Sequence, residues 1–128
     1  MDKKTILIVD DEPVFSKMVK LFLEQTGEFI VECESDSNAA VGKARAVKPD
    51  AILLDLIMPH KDGAELKAEM DADPFLKDIP KMFLTSNVSK NDTTEGGLVI
   101  TGDGLMLPKT SQPDMVSRCL SELIAGTI

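Results

Sequence analysis

Short apolar runs rich in β-branched residues alternate with segments of helical periodicity, and this alternation constrains the fold more than any other feature. The first run, residues 5–9, is apolar at successive positions, as is typical of a strand buried on both faces of a parallel sheet. Further strands are predicted at 29–34, 51–55 and 81–85, and a fifth either at 105–107 alone or in a longer stretch that includes 98–100. The alternation predicts an α/β domain with a doubly wound parallel sheet and helices on both faces.

Helical periodicity places helices between these strands. The first begins near Pro13, ends at Gly27 and is predicted to bury a stripe formed by Val14, Met18, Leu21 and Phe22. A second follows a cap at Ser37 or Asn38, a third spans Gly63 to Asp71, and the last spans Pro113 to Ala125. The stretch 86–104 is rich in Asn, Asp, Ser, Thr and Gly, so a fourth helix there is predicted to be short or irregular.

Charge and cysteine content narrow the class of protein. The chain of 128 residues is expected to form a single domain over 1–128, and it carries a formal net charge of -8 without a basic stripe. We therefore expect no direct binding to nucleic acid, which needs clustered Lys and Arg. The apolar runs are too short to span a membrane, and Cys33 and Cys119 lack metal-site spacing. These features favour a soluble, reduced, cytoplasmic protein.

Polar residues follow the predicted strands where the strands end. Asp10 and Asp11 follow the first strand, Asp55 ends the third, Thr85 ends the fourth, and Lys109 follows the fifth. In a doubly wound sheet, ligands bind at the carboxyl ends of the strands, where the strand order reverses. If the order is 2-1-3-4-5, the three aspartates surround one cleft between strands 1 and 3. As an alternative, Asp10 and Asp11 would only cap the helix that begins at Pro13.

Three carboxylates in one cleft repel one another and call for a cation. Mg²⁺ suits them better than Zn²⁺, because the available ligands are oxygens and His60, the single histidine, is expected to face solvent. Lys109 and Thr85 would add the charge and the hydroxyl donor that a phosphoryl group needs. The pattern therefore indicates phosphoryl transfer to a carboxylate, with Asp55 as the nucleophile.

Two stretches resemble the receiver domains of two-component response regulators: residues 6–12, which contain the acidic pair, and residues 54–63, which follow the pattern of the phosphoacceptor loop. The separations of 44 positions from Asp11 to Asp55 and 30 from Asp55 to Thr85 are also ordinary for that family. The resemblance implies a flavodoxin-like five-stranded parallel sheet of order 2-1-3-4-5. It further implies a signalling switch rather than an enzyme that turns over a metabolite.

The resemblance also implies roles for individual residues. Asp55 would accept the phosphoryl group, and it would hold Mg²⁺ together with Asp10, Asp11 and the backbone carbonyl of Ile57. Thr85 would hydrogen-bond a phosphoryl oxygen and Lys109 would pair with it. The donor would be a phosphohistidine on a sensor histidine kinase or a histidine phosphotransfer protein, and the output partner is not specified by the sequence.

The chain departs from the family pattern at two positions. Lys109 is followed by Thr110 instead of proline, so the bond between them is predicted to be trans, and the reach of Lys109 into the cleft becomes a question. We hypothesise that Lys109 still approaches the phosphoryl position. Met106 stands where most receivers have an aromatic switch residue, so the usual coupling between that residue and Thr85 cannot operate unchanged.

Three functions remain open from the sequence. The first is a stand-alone receiver similar to the chemotaxis regulators, since the chain begins just before the first strand and ends with the last helix; a receiver excised from a larger regulator would look the same. The second is a pseudo-receiver, an interaction module whose phosphorylation is uncoupled from output. The third is a Mg²⁺-dependent phosphatase with an aspartyl-phosphate intermediate, although such enzymes usually carry a DxD pattern and a cap that this sequence lacks.

Overall fold

The computed structural model describes residues 3–86, 99–101 and 104–128, and within them six strands form one sheet. The strands are β1 (Lys4–Val9), β2 (Phe29–Glu34), β3 (Ala51–Asp55), β4 (Lys81–Thr85), β5 (Val99–Thr101) and β6 (Gly104–Pro108), and their order across the sheet is β2-β1-β3-β4-β6-β5. The first four strands and β6 pair in parallel. The predicted parallel sheet of order 2-1-3-4-5 is therefore confirmed, with β6 as its fifth strand.

The sequence left open whether the fifth strand was short or included residues 98–100, and the structure contains two separate strands there, β5 and β6. Residues 99–101 form β5, which pairs antiparallel with β6 through Val99 opposite Met106 and Thr101 opposite Gly104. Only two residues separate the strands along the chain, and such a short connection permits antiparallel pairing alone. The short or irregular helix predicted within 86–104 falls mostly on residues 87–98, which lie outside the described residues.

Four α-helices connect and follow the strands within the described part of the chain. They are α1 (Pro13–Gln25), α2 (Ala40–Val47), α3 (Gly63–Asp71) and α4 (Pro113–Ala125). The bounds predicted for α3 and α4 are confirmed. The predicted cap of α2 is wrong, because Ala39 occupies the N-cap position of α2 and makes no side-chain capping hydrogen bond. Asp36 caps the 3₁₀ turn Ser37–Ala39 that precedes α2, by accepting a hydrogen bond from the backbone of Asn38 at 2.9 Å. Ser37 is buried and donates its hydroxyl hydrogen bond to the carbonyl of Pro59 at 3.0 Å instead.

The sheet separates two apolar layers, since successive side chains of a strand point to opposite faces. One layer packs β-strand residues such as Ile8 and Leu53 against α1 and α4. The other packs Val9, Leu54 and Phe83 against α2 and α3. Helices therefore cover both faces of the sheet, as the sequence predicted. The carboxyl ends of β1, β3, β4 and β6 lie together at one edge of the sheet.

The buried stripe predicted for α1 is wrong at three of its four positions, and only Phe22 packs against the core as predicted. Val14, Met18 and Leu21 are 75%, 63% and 63% exposed, whereas Phe15, Val19 and Phe22 pack against the core and Leu23 is fully buried. Both sets repeat at helical spacing, so periodicity alone could not choose between them. The packing of α1 against β2 determines which set is buried, because it places the face that contains Leu23 toward the sheet.

Two further expectations can be compared with the structure. Cys33 and Cys119 are free thiols, and Cys119 is buried in the core. Within the described residues, every helix is too short or too polar to cross a membrane.

Candidate functional site

The first part of the site is the turn that follows β1. The backbone of Asp10 donates a hydrogen bond to the carbonyl of Glu34 at 3.0 Å, which extends the pairing of β1 with β2 by one residue. The side chain of Asp10 is buried, and its Oδ1 accepts a hydrogen bond from the backbone of Glu12 at 2.9 Å. Asp10 therefore fixes the start of α1 and also presents its second carboxylate oxygen, Oδ2, to the neighbouring strand ends.

The second part is the end of β3. Because Val9 is opposite Leu54 in the parallel register, Asp10 and Asp55 leave the sheet side by side. Asp55 is also buried. The carboxylates of Asp10, Asp11, Glu12 and Asp55 offer oxygens that all lie within 4.8 Å of one another, and we call these four residues the acidic cluster. The structure thus brings together the three aspartates that the sequence assigned to one cleft.

The loop between Asp55 and α3 is held by its own backbone. Gly63 donates a hydrogen bond to the carbonyl of Leu56 at 2.8 Å, and Asp62 caps α3 by accepting one from the backbone of Glu65 at 2.8 Å. A side chain at position 63 would overlap the carbonyl oxygen of Asp55, so glycine is required there. Ile57 lies in this loop with its side chain exposed, and His60 is exposed outside the acidic cluster.

Thr85 and Lys109 come from the neighbouring strands β4 and β6. Thr85 is opposite Pro108 in the parallel register, and the backbone of Lys109 donates a hydrogen bond to the carbonyl of Thr85 at 2.9 Å. Thr85 is buried at the same edge of the sheet as Asp55, since β3 and β4 pair directly. Both residues therefore lie beside the acidic cluster.

The side chain of Lys109 reaches into the acidic cluster. Its Nζ lies 2.9 Å from Asp10 Oδ2, 3.0 Å from Glu12 Oε1 and 3.4 Å from Asp55 Oδ2. The described residues contain no cis peptide bond, so the predicted trans bond between Lys109 and Thr110 is confirmed. The question raised by the missing proline is answered by these distances, because the ammonium group points into the cleft with a trans backbone.

Burial and charge shift the pKa values of the facing groups. Burial and the neighbouring Asp10 carboxylate raise the pKa of Asp55, the Lys109 ammonium group lowers it in part, and the resulting pKa is about 6. Burial lowers the pKa of Lys109, but its contacts with Asp10 and Glu12 outweigh that effect and hold the pKa above its usual range. The site thus contains a permanent positive charge, on Lys109, and a carboxylate, on Asp55, whose charged form any additional cation would stabilise.

The family model of the response regulator receiver domain matches residues 6–118 of this chain. The chain belongs to this family. The match includes every residue of the acidic cluster, together with Thr85 and Lys109. Receiver domains are signalling modules of two-component systems, and the described fold of this receiver domain agrees with that membership in strand order and in the position of the site.

Individual relatives are consistent with this assignment. The phosphate regulon transcriptional regulatory protein PhoB of Pseudomonas aeruginosa is 37% identical over 116 residues, which are 90% of this receiver domain and 49% of PhoB. The receiver domain thus spans about half the length of the curated relatives it matches. The chemotaxis protein CheY4 of Vibrio cholerae superposes with a TM-score of 0.79 and 27% identity, over 95% of this chain and 99% of its own.

Another solved structure contains a metal ion. The receiver domain of the sensor histidine kinase PA1611 from Pseudomonas aeruginosa superposes with a TM-score of 0.80 and 28% identity, over 97% of this chain and 99% of its own. That structure has a magnesium ion coordinated in the active site cleft.

The acidic cluster of this receiver domain fits a divalent cation by its own geometry. Asp10 Oδ2 is buried and accepts no hydrogen bond among the described residues, and its contact with the Lys109 ammonium group, at 2.9 Å, is an ion pair. A buried carboxylate oxygen in this situation keeps a lone pair for a further positive partner. The donor set consists of oxygens alone, which suits Mg²⁺.

Two residues at the site were not assigned a role from the sequence. Glu12 contributes an oxygen to the acidic cluster and accepts a hydrogen bond from Lys109. The ring of Phe15 lies under the same ammonium group, with 4.9 Å between Nζ and the ring centroid. The sequence contained a signal for Glu12, which directly follows the acidic pair. It contained none for Phe15, whose contact depends on how α1 is turned.

Proposed function

We propose that this receiver domain is a phospho-accepting switch in a two-component phosphorelay, and that Asp55 receives the phosphoryl group. The observation that carries the proposal is the position of the Asp55 carboxylate. It is buried at the end of β3, beside the carboxylates of Asp10 and Asp11 and 3.4 Å from the ammonium group of Lys109. A nucleophile, a cation site and a positive charge for the incoming group thus lie in one cleft.

In the proposed reaction, an oxygen of Asp55 forms a bond to phosphorus while the bond from phosphorus to the imidazole nitrogen of a phosphohistidine breaks. The leaving imidazole takes a proton from solvent. Lys109 pairs with the phosphoryl oxygens, and the hydroxyl of Thr85 donates a hydrogen bond to one of them. Attack of water on the phosphoryl group later restores the Asp55 carboxylate and releases inorganic phosphate.

Mg²⁺ would be held by the carboxylates of Asp10, Asp11 and Asp55 and by the backbone carbonyl of Ile57. When bound, it supplies positive charge that offsets the repulsion between the carboxylate and the incoming phosphoryl oxygens. Asp10 fits this role because its buried Oδ2 accepts no hydrogen bond among the described residues and is in contact with the Lys109 ammonium group as an ion pair at 2.9 Å.

The proposed donor is a phosphohistidine on a sensor histidine kinase or a histidine phosphotransfer protein. Residues 1–128 act in this proposal as a single receiver domain whose output is binding to a partner protein. Direct binding of nucleic acid by these residues is not part of the proposed function, because the net charge of -8 opposes approach to phosphates.

A second candidate function, the pseudo-receiver, is favoured by Met106. This residue is buried on the α2 and α3 side of the sheet, in the same core cluster as Phe83. A methionine side chain adapts to its surroundings without two discrete rotameric states, so it transmits a change at Thr85 less sharply than an aromatic ring. In this case Asp55 would be phosphorylated without a change in partner binding, or not at all.

The test is to incubate the protein with acetyl phosphate, with and without Mg²⁺, and to follow the intact mass. We expect a single phosphoryl adduct that requires Mg²⁺, decays with time and is absent in Asp55→Asn. The matched control is Asp78→Asn, which removes an exposed carboxylate located before β4, at the opposite edge of the sheet. An adduct that persists in Asp55→Asn, or the lack of an adduct in the wild-type protein, would contradict the proposal.

A further inference from the structure

The ammonium group of Lys109 is held on several sides. Asp10 and Asp55 approach it from the sheet, Glu12 approaches it from the start of α1, and the ring of Phe15 lies beneath it. A lysine side chain has four rotatable bonds, so its terminal charge occupies one position only where several partners restrain it. The side chain of Lys109 is 12% exposed, and the side chain of Glu12 is 65% exposed.

The backbone of Glu12 is itself fixed by three hydrogen bonds. Its N–H donates to Asp10 Oδ1 at 2.9 Å, and its carbonyl accepts from the backbone of Ser16 at 3.1 Å and from the Ser16 hydroxyl at 3.4 Å. The Glu12 side chain makes no capping hydrogen bond to α1. The Glu12 carboxylate is therefore available for Lys109. The Glu12 backbone that carries it is held beside the site by these hydrogen bonds.

We propose that Glu12 is a positioning residue, which holds the ammonium group of Lys109 at the position where the phosphoryl group arrives. This inference rests on the proposed function, because Asp10 and Asp55 are the carboxylates assigned there to Mg²⁺ and to phosphorylation. Bound Mg²⁺ would offset the negative charge that these two carboxylates present to Lys109 before the phosphoryl group arrives, and phosphorylation would occupy the Asp55 oxygen that forms the new bond. Glu12 belongs to neither assignment, so it keeps the ammonium group in the cleft when the other two carboxylates are engaged, while the Phe15 ring supports it from below.

The first measurement is the chemical reactivity of the Lys109 amine, which does not depend on phosphorylation. Each variant is treated with a limiting amount of an amine-acetylating reagent, and the modification of Lys109 is quantified by peptide mass spectrometry. We expect Glu12→Gln to increase the rate of modification roughly two- to fivefold, as the loss of one exposed ion pair permits. The control Glu28→Gln removes an exposed carboxylate at the amino end of β2 and should leave the rate unchanged.

The second measurement is a double-mutant cycle on the rate of adduct formation from acetyl phosphate and Mg²⁺. Glu12→Gln is expected to slow the reaction roughly two- to fivefold when Lys109 is present, and to change nothing in the Lys109→Gln background. The ratio between the wild-type and Glu12→Gln rates should also shrink as NaCl is added, because salt screens an exposed pair. Circular dichroism confirms that each variant is folded.

The outcomes separate the two proposals. An unchanged amine reactivity in Glu12→Gln overturns the positioning role, whether or not the protein is phosphorylated. Equal slowing by Glu12→Gln in both Lys109 backgrounds overturns it as well, while leaving Asp55 phosphorylation intact. If the wild-type protein forms no adduct, the proposed function is contradicted. If Glu12→Gln still makes Lys109 more reactive in that case, the contact between Glu12 and Lys109 is a structural feature only.

Discussion

Gly63 shows how strictly one position can determine the geometry of the site. A methyl group there would overlap the carbonyl oxygen of Asp55 and lie 2.9 Å from Leu56 Cα. Both obstacles belong to the backbone, so they cannot move aside as a flexible side chain would. The backbone N–H of Gly63 also donates to Leu56 at 2.8 Å, which closes the loop between β3 and α3. The first residue of the helix therefore touches the residue that carries the proposed nucleophile.

Gly63→Ala is expected to destabilise the protein by about 1–3 kcal/mol, the usual cost of forcing extra atoms into a packed region. It should also slow adduct formation, because Asp55 must shift to relieve the overlap. Gly42→Ala is the matched control: a Cβ at Gly42 meets nothing within 4 Å in the middle of α2, so we expect a gain of about 0.5–1 kcal/mol. Urea denaturation of both variants measures these changes, and equal stability of the two would contradict the packing argument.

Individual site residues were predictable from the sequence to different degrees. The positions of Asp10, Asp11 and Asp55 at one edge of the sheet follow from their location at strand ends, because parallel strands bring those ends together. The contact of Lys109 with the cluster was not determined in this way. It depends on the rotamers of a long side chain and on partners such as Phe15, which approach from another element and leave no local pattern in the sequence.

Helix α1 is the element whose orientation the sequence predicted least well. Its apolar residues form two overlapping stripes at helical spacing, one at 14, 18 and 21 and the other at 15, 19 and 22. The structure packs the second stripe, which is partly buried, against the core beside the fully buried Leu23, and it leaves the first stripe exposed. A helix that is apolar over so wide an arc can be assigned to a face only when its neighbours are known.

The two leucines of α1 provide a test at the scale of this element. Leu23 is fully buried and Leu21 is 63% exposed, although only one residue separates them. We expect Leu23→Ala to lower the free energy of unfolding by about 2–5 kcal/mol, the range for buried leucines. The identical change at Leu21 should stay within about 0.5 kcal/mol of the wild type. Chemical denaturation of both variants measures the two changes in the free energy of unfolding. A larger loss of stability in Leu21→Ala than in Leu23→Ala would contradict the observed orientation of α1.

The strands were more predictable than α1, since a strand buried on both faces leaves a continuous apolar run. The bounds of β3 and β4, whose residues are all buried, follow from their runs alone. The end of the sheet was less clear, because the segments at 99–101 and 104–108 are short and are separated by only two residues. The two-residue connection between them requires antiparallel pairing, but which of the two strands pairs with β4 is a property of the assembled sheet.

At the scale of the whole molecule, the acidic residues behind the net charge of -8 differ in how strongly they repel one another. Among the described residues, most other acidic side chains are at least partly exposed or are paired with a lysine or arginine, whereas the acidic cluster concentrates four carboxylates within 4.8 Å. Burial and the neighbouring Asp10 carboxylate raise the pKa of Asp55, against the opposing effect of Lys109, to about 6, and among the described residues the Lys109 ammonium group offsets part of the cluster's charge. Folding assembles this concentration of charge, so an ion that binds it stabilises the folded state alone.

Mg²⁺ is therefore expected to raise the melting temperature. For an ion that binds only the folded protein, each tenfold increase in concentration above the dissociation constant adds about 1.4 kcal/mol to stability. In a domain of this size that gain corresponds to roughly 3–8 °C. Asp11→Ala should remove most of the shift, because it deletes a carboxylate of the acidic cluster without opening the buried core. Thermal unfolding followed by circular dichroism, at several Mg²⁺ concentrations, provides the measurement.

Screening by salt is the competing cause of such a shift, and it acts on the whole surface of an acidic protein. NaCl at the same ionic strength is therefore the necessary control, and Glu28→Gln is the matched variant, because it removes one exposed charge far from the cluster. Specific binding predicts that Mg²⁺ exceeds NaCl in the wild type and in Glu28→Gln but not in Asp11→Ala. Equal shifts with Mg²⁺ and NaCl would contradict a metal site, and an undiminished Mg²⁺ shift in Asp11→Ala would exclude Asp11 from it.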